Sequence, residues 1–199
     1  MASATFTPAE PLGWSTRYEV VVTATSVTLA NAAWGFTTAA EPQTLDATTI
    51  FGAAIPQNDA WDDPNGVQVA TRFRVDAPGS ATGIRFYKGS ANTGVHTGYL
   101  WTADGQRLVE IAFVNETADG WQDVQFLEPV PLLPGVEYRV GLHSTTGRYA
   151  VDLDALAEET TVGPFTVPAD GSAYAYSREF PGHLSRHNYW VDVTFLPSG

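Results

Sequence analysis

One short acidic stretch of this chain has the residue types of a cation site. Residues 59–65 contain three carboxylates and one amide, at Asp59, Asp62, Asp63 and Asn65. Hard oxygen ligands of this kind suit calcium, although the spacing and the closing glutamate of an EF-hand are missing. We therefore predict a structural calcium site in this stretch, with a solvated acidic loop as the alternative.

The same stretch holds a tryptophan. Trp61 stands among polar residues, outside any alternation of apolar and polar positions. In such a place the indole ring is expected to be exposed, with its flat face free to stack on a sugar. Trp101 and Trp121 follow short glycine-containing turns, and for them either sugar stacking or burial in the core fits. Trp61 is therefore the first candidate for ligand binding.

A second group of candidates lies on strands with two different faces. Near the C-terminus, Trp190 and Asp192 share one face of a strand whose other face is apolar. In residues 83–88 the same period of two places Arg85 and Tyr87 together on the outer face. Aromatic rings and forked guanidinium donors are the groups that a sugar-binding face uses. The alternative is a structural ion pair between Arg85 and Asp192, buried between the sheet and a covering loop.

Composition excludes several classes of function. The 199 residues carry a net charge of −12 with a single lysine, so nucleic acid and anionic membrane surfaces are expected to be repelled. The absence of cysteine excludes disulfides and thiolate chemistry. No apolar run is long enough for a membrane-spanning helix. Motifs of serine hydrolases, zinc proteases and phosphate-binding loops are also missing, so an enzyme is the least favoured class.

The elements that must position these side chains are short strands. Alternating runs are separated by Gly, Pro, Asn and Asp, which is typical of an antiparallel β-sandwich. Strands are expected near residues 17–25, 33–37, 67–75, 82–88, 97–103, 107–115, 121–127, 136–143, 147–152, 172–177 and 188–196. Residues 152–159 are the best candidate for a short helical segment of one or two turns.

Several motifs follow one another along the C-terminal three quarters of the chain. They are Thr49-Ile50-Phe51-Gly52, Gly83-Ile84-Arg85-Phe86-Tyr87-Lys88, His96-Thr97-Gly98-Tyr99-Leu100-Trp101, Gly120-Trp121-Gln122, Gly147-Arg148-Tyr149 and Asn188-Tyr189-Trp190-Val191-Asp192-Val193. In these motifs residues 48–196 resemble a bacterial domain family of unknown function, DUF4082. The resemblance implies an accessory module of large secreted or surface proteins and no established activity. The chain departs from the family at Gln68, where the family favours glutamate.

A second resemblance covers the N-terminal residues. It rests on Phe6-Thr7-Pro8, Leu12, Thr16-Arg17-Tyr18-Glu19-Val20-Val21-Val22 and Trp34-Gly35-Phe36-Thr37-Thr38. In these motifs residues 5–38 resemble the C-terminal part of a bacterial Ig-like domain of the S-layer-associated, Big_5 type. The resemblance implies a partial Ig-like segment at residues 1–40, a linker at 41–47 and a β-sandwich domain at 48–199.

These observations lead to one functional hypothesis and two alternatives. We expect a jelly-roll-like β-sandwich that binds a glycan or polysaccharide as a non-catalytic module of a secreted or surface bacterial protein. Its other expected partners are neighbouring Ig-like domains of the same protein. The first alternative is a structural or adhesive spacer that contacts only other protein domains. The second is a glycan-active enzyme.

Overall fold

The structure described here is a computed structural model of the chain, which divides into two compact units at residues 1–44 and 45–199. The described residues are 7–13, 15–22, 32–39 and 46–198. Most of the predicted linker at 41–47 lies outside the described residues, as do the end of the predicted strand at 17–25 and Phe6 of the Ig-like motifs. The domain layout read from the sequence therefore stays a prediction.

The first unit contains an antiparallel hairpin of two strands, β1 (Arg17–Val22) and β2 (Ala32–Thr37). Tyr18 lies directly opposite Phe36, and their rings stack with centroids 5.7 Å apart. Trp34 is on the same apolar face and is 52% exposed. An isolated hairpin of two strands has only marginal stability in water.

The second unit is built from eleven described strands. They are β3 (Val67–Val75), β4 (Gly79–Lys88), β5 (His96–Thr102), β6 (Arg107–Ala112), β7 (Gly120–Leu132), β8 (Tyr138–Ser144), β9 (Thr160–Val162), β10 (Phe165–Val167), β11 (Ser172–Ala175), β12 (His183–Ser185) and β13 (Val191–Pro197). The larger sheet has the order β12-β11-β3-β8-β5-β6, with β10 paired to β3 and β9 to β10. The smaller sheet has the order β13-β4-β7. Every ladder between these strands is antiparallel.

The two sheets pack face to face around one core. Strand β13 lies against β3 and β8, β4 against β5, and β7 against β6. Phe73 and Leu142 of the larger sheet and Ile84 and Val193 of the smaller one are at most 1% exposed and belong to the same apolar cluster. Burying a side chain of this size contributes about 1.5–3 kcal/mol. The prediction of an all-β antiparallel sandwich is confirmed.

The larger sheet is wider than the smaller one. Strands β11 and β12 extend beyond β13, which is the last strand of the smaller sheet on that side. The inner face of β11 is therefore not covered by a facing strand at this end. Instead, loop residues before β3 and after β8 lie beside it, and this is where the candidate site forms.

Residues 152–159 form turns and no helix. Their backbone groups bond to other segments: Asp152 and Asn188 exchange two hydrogen bonds of 2.9 Å, and the Leu156 amide donates to the Arg186 carbonyl at 2.8 Å. These distant partners replace the bonds of a helix that would be too short to be stable by itself. No helix in the described ranges is long and apolar enough to cross a membrane.

Candidate ligand-binding site

Trp61 lies on a loop that is attached to the segment after β8. The Trp61 amide donates to the Tyr149 carbonyl, and the Val151 amide donates to the Asn58 carbonyl, both at 2.8 Å. These bonds attach the loop to the backbone of residues 149–151. Trp61 is 37% exposed, which agrees with the expectation from its polar sequence surroundings.

Asp63 connects this loop to the end of β11. One carboxylate oxygen accepts hydrogen bonds from the Asn65 backbone amide at 3.0 Å and side-chain amide at 2.8 Å, and the other accepts from the Tyr176 hydroxyl at 2.8 Å. Burial acts to raise the pKa of Asp63, but the donors Asn65 and Tyr176 outweigh it and hold the pKa below its usual value. The ionised Asp63 thus fixes Tyr176 beside the Trp61 loop.

Gly147 allows the close approach of the two segments. Its φ of +62° lies in the left-handed region, and a side chain here would collide with the carbonyls of Asp63 and Asn65. The Arg148 amide can therefore donate to the Asp63 carbonyl at 2.8 Å.

The cleft beside Trp61 has an aromatic lining. It encloses about 480 Å³, within the usual range for a small-molecule site. Besides Trp61, its aromatic residues are Tyr149, Tyr174, Tyr176 and Tyr189. Tyr149 meets Tyr189 edge to face with centroids 5.5 Å apart, and Tyr174 meets Tyr176 in the same way at 5.9 Å. Edge-to-face contacts of this kind fix the rings in place.

Polar groups from the region after β12 line the other side of this cleft. The Tyr189 hydroxyl donates to the Ser185 hydroxyl at 2.9 Å. The Asp154 amide donates to Nδ1 of His187 at 3.0 Å, so Nε2 carries the proton of the neutral imidazole and is a donor. Arg186 forms an ion pair with the Asp154 carboxylate at 3.1 Å.

Three phenols of the cleft, those of Tyr149, Tyr176 and Tyr189, stay protonated at neutral pH. Burial raises the pKa of Tyr149 and of Tyr189, while the hydrogen bond to Asp63 is the main cause that raises the pKa of Tyr176. Each neutral hydroxyl can donate and accept hydrogen bonds. The cleft therefore combines flat apolar rings with hydroxyl groups and an imidazole.

Of the predicted calcium ligands, Asp63 and Asn65 contact each other while Asp62 pairs elsewhere, and the calcium site stays a prediction. Asp63 turns inward to Asn65 and Tyr176, and Asp62 pairs with the Arg148 guanidinium. Across the described ranges, no group of three or more His, Asp or Glu residues could hold a metal ion. The carboxylates of Asp62 and Asp63 thus make contacts within this loop and with the segments beside it.

The Arg85–Asp192 face is closed. Asp192 is fully buried and its carboxylate accepts from the amides of Ile50, Phe51 and Val193 at 2.8–3.0 Å and from Nε of Arg85 at 3.2 Å. Burial raises the pKa of Asp192, and the three amides and Arg85 oppose this shift. The alternative of a buried ion pair beneath a covering loop is confirmed, and the expectation of two ligand-binding groups here is corrected.

Trp190 and Tyr87 belong to the same closed region. Trp190 is only 5% exposed, with its ring 5.4 Å from that of Phe51 and 6.0 Å from that of Trp121, and Tyr87 contacts both tryptophans. Arg85 covers the Trp121 ring at 3.7 Å. Neither Trp190 nor Tyr87 lines the cleft beside Trp61, because both lie on the outer face of the smaller sheet, where the loop before β3 covers it.

Trp101 is buried as well, on the outer face of the larger sheet. It is 3% exposed, lies flat on Tyr99 with centroids 4.9 Å apart, and is covered by Phe180. Gly141 leaves room for the indole on the neighbouring strand. The ligand-binding expectation for Trp101 is therefore corrected, because its ring is buried beneath Phe180 on the outer face of the larger sheet.

Sequence reasoning identified Trp61 and missed its tyrosine neighbours. Tyr174 and Tyr176 are two positions apart at the end of β11, which places them on one face of the strand. Tyr149 and Tyr189 each stand at the end or within a motif quoted for the family resemblance. The alternation was visible, but only the fold shows that these four rings meet beside Trp61.

The fold and the cleft define a two-sheet, all-β domain with an aromatic surface site. The chain belongs to the family described as Domain of unknown function (DUF4082), whose model matches residues 53–191. The resemblance read from the sequence is confirmed for this part. Among curated proteins, none matches the chain. The Ig-like resemblance of residues 5–38 stays a prediction.

Proposed function

We propose that this domain is a non-catalytic carbohydrate-binding module and that the cleft beside Trp61 is its binding site. The observation that carries the proposal is a half-exposed tryptophan, fixed by backbone bonds, at the edge of a cleft with four tyrosines. The apolar face of a sugar ring stacks on such aromatic faces, and its hydroxyls bond to phenol and imidazole groups.

Charge favours a neutral glycan. The net charge of −12 repels polyanions at long range. Arg186, which lines the cleft, is paired with Asp154, and Arg148, next to Tyr149 in the chain, is paired with Asp62. Neither guanidinium is available to balance a uronate or sulfate without breaking an ion pair.

The lining of the cleft supports a binding role without catalysis. Glycoside hydrolysis commonly uses two carboxyl groups that flank the scissile bond, roughly 5–10 Å apart. Among the described residues that line this cleft, Asp170 is the single acidic one. Asp63, beneath Tyr176, is committed to fixing the loop.

Titration calorimetry with soluble neutral polysaccharides (β-glucan, mannan, xylan and galactan) tests the proposal. We expect binding to at least one of them, and a loss of affinity of tenfold or more, about 1.4 kcal/mol, in Trp61→Ala. Trp34→Ala, which removes an exposed tryptophan of the other unit, serves as the matched control and should bind as the wild type does. Absence of binding to every polysaccharide would overturn the proposal.

A second candidate function rests on the N-terminal hairpin. The apolar face of β1 and β2 leaves Trp34 52% and Phe36 41% exposed, and exposed aromatic faces of this kind are typical of contact surfaces. We propose that the hairpin completes an Ig-like domain in a longer secreted or surface bacterial protein, so that the chain also acts as a spacer.

Hydrogen exchange of the strand amides tests this second role. We expect residues 17–22 and 32–37 to exchange rapidly in this chain and to be protected in a longer protein that supplies further strands of an Ig-like domain. The same fast exchange in both would contradict it. Amides of β3 and β8 are the internal control, since they lie in the sandwich core.

A further inference from the structure

Trp61 lines two clefts. Besides the tyrosine cleft, a second cleft of about 320 Å³ is lined by Trp61 together with Gln57, Asn58, Asp152 and Ala155. Two apolar side chains, Val151 and Leu153, also line both clefts. The two spaces are thus neighbouring parts of one surface, with the indole between them.

The wall between the clefts is fixed before any ligand arrives. The Asp152 carboxylate accepts hydrogen bonds from the Gln57 amide at 2.8 Å and from the Asn58 amide at 3.3 Å. The Val151 amide donates to the Asn58 carbonyl at 2.8 Å, two residues from the bond that the Trp61 amide makes. A surface held in this way loses little conformational freedom on binding.

Each cleft offers its own polar groups. The tyrosine cleft has the hydroxyl of Ser185 and the imidazole of His187, and the second cleft has the amide of Gln57 and the carboxylate of Asp152. Leu153, 57% exposed, continues the apolar surface from one to the other. Both sides of the Trp61 ring thus offer apolar surface together with groups that can bind hydroxyls. This arrangement suits a ligand made of repeating units.

We propose that the site binds a stretch of a neutral, linear polysaccharide, with successive sugar units on the two sides of Trp61. The inference rests on the proposed carbohydrate function and specifies its ligand as a chain. A single sugar contacts only one cleft. When one sugar of a chain is bound, the next sugar enters the second cleft in an intramolecular step. The chain therefore binds more tightly, because the entropy of association is lost only once.

A series of oligosaccharides of increasing length tests this inference. From the polysaccharide that binds in calorimetry, oligomers of one to about six sugars are titrated into the full chain. The association constant is expected to rise by about tenfold or more between the monosaccharide and the oligomers that reach both clefts, and then to level off.

A variant that blocks the second cleft tests whether this cleft causes the gain in affinity with oligomer length. Ala155→Phe places a ring in that cleft and leaves the tyrosine cleft unchanged; it should bind long oligomers only as tightly as short ones. Gln57→Ala, which keeps the loop bonds made by the Gln57 backbone, should give a smaller loss in the same direction. Ala118→Phe, at an exposed alanine that lines neither cleft, is the matched control and should behave as the wild type.

The outcomes separate this inference from the function on which it rests. Equal affinity of one sugar and of the longest oligomer, or an Ala155→Phe protein that keeps the full gain, would overturn the two-cleft mode while carbohydrate binding stands. Absence of binding to all saccharides would overturn both. If Ala155→Phe does not fold, by circular dichroism, the oligosaccharide series and Gln57→Ala decide.

Discussion

The covered face of the smaller sheet and the cleft beside Trp61 contain the same residue types, but Trp190 is buried on the sheet and Trp61 is exposed in the cleft. Each combines a tryptophan, an aspartate and an arginine with further aromatic rings. On the covered face, Asp192 and Trp190 are 0% and 5% exposed. In the cleft, Trp61 is 37% and Tyr176 60% exposed. Residue type alone therefore does not decide which group binds a ligand and which stabilises the fold.

The partners of the two carboxylates explain the difference. Asp192 lies directly opposite Arg85 in the ladder and also accepts from three backbone amides, so the covering loop is held onto the sheet. Asp63 is bonded mainly to its own loop and to Tyr176. Its interactions orient aromatic rings at the surface and leave them open.

The largest expected effect is on the covered face. Asp192→Ala leaves Arg85 and three backbone amides without this acceptor, and removing one partner of a buried pair costs about 3–5 kcal/mol. Urea denaturation followed by circular dichroism measures this loss in the free energy of unfolding. Asp192→Asn, which keeps the shape and part of the bonding, should lose less. A loss below about 1 kcal/mol in Asp192→Ala would show that the face is not closed in solution.

The next largest effect on stability is expected when Trp190 is removed, and it contrasts with the effect of removing Trp61. Trp190→Ala should destabilise the domain by about 3 kcal/mol, the lower end for this substitution, because its buried Nε1 has no hydrogen-bond acceptor. Trp61→Ala should change stability by no more than about 0.5 kcal/mol while it removes binding. Equal thermal stability and equal affinity of the two variants would contradict the distinction between a structural Trp190 and a ligand-binding Trp61.

Acid should act on the cleft through Asp63. Its pKa is lowered on folding, so the unfolded chain binds more protons below about pH 4. The stability that Asp63 contributes is present above that pH and is lost as the pH falls through its folded pKa. Denaturation between pH 2 and 5, roughly the range in which Asp titrates, should show a steeper decline for the wild type than for Asp63→Asn. If the stability of the two proteins falls in parallel with pH, ionised Asp63 does not stabilise the domain.

The smallest effect is expected from a single hydroxyl. Tyr176→Phe removes the hydrogen bond to Asp63 and should cost about 0.5–1.5 kcal/mol in unfolding free energy, with a few-fold weaker affinity for the polysaccharide because the ring is less well oriented. Calorimetry and urea denaturation of the same preparation give both numbers. Tyr87→Phe is the control, because Tyr87 belongs to the covered face and should leave affinity unchanged.

Part of this account could be predicted from the sequence. The period of two in the strands predicts which residues face the core, and the polar surroundings of Trp61 predict its exposure. The alternation at residues 188–195 also places Asp192 opposite the core, but only pairing with β4 and the loop before it makes that face buried. The tyrosines come from segments far apart in the chain, and the extension of β11 beyond β13 brings them together.

Oxidative footprinting of the tryptophans tests the central claim most directly. In the free protein, limited oxidation followed by mass spectrometry should modify Trp61 and Trp34 and spare Trp101 and Trp190, in keeping with their exposure. Saturation with the polysaccharide that binds should protect Trp61 and leave Trp34 reactive. If the polysaccharide leaves Trp61 reactive and protects Trp121 on the smaller sheet, the binding site lies on the face that we describe as closed.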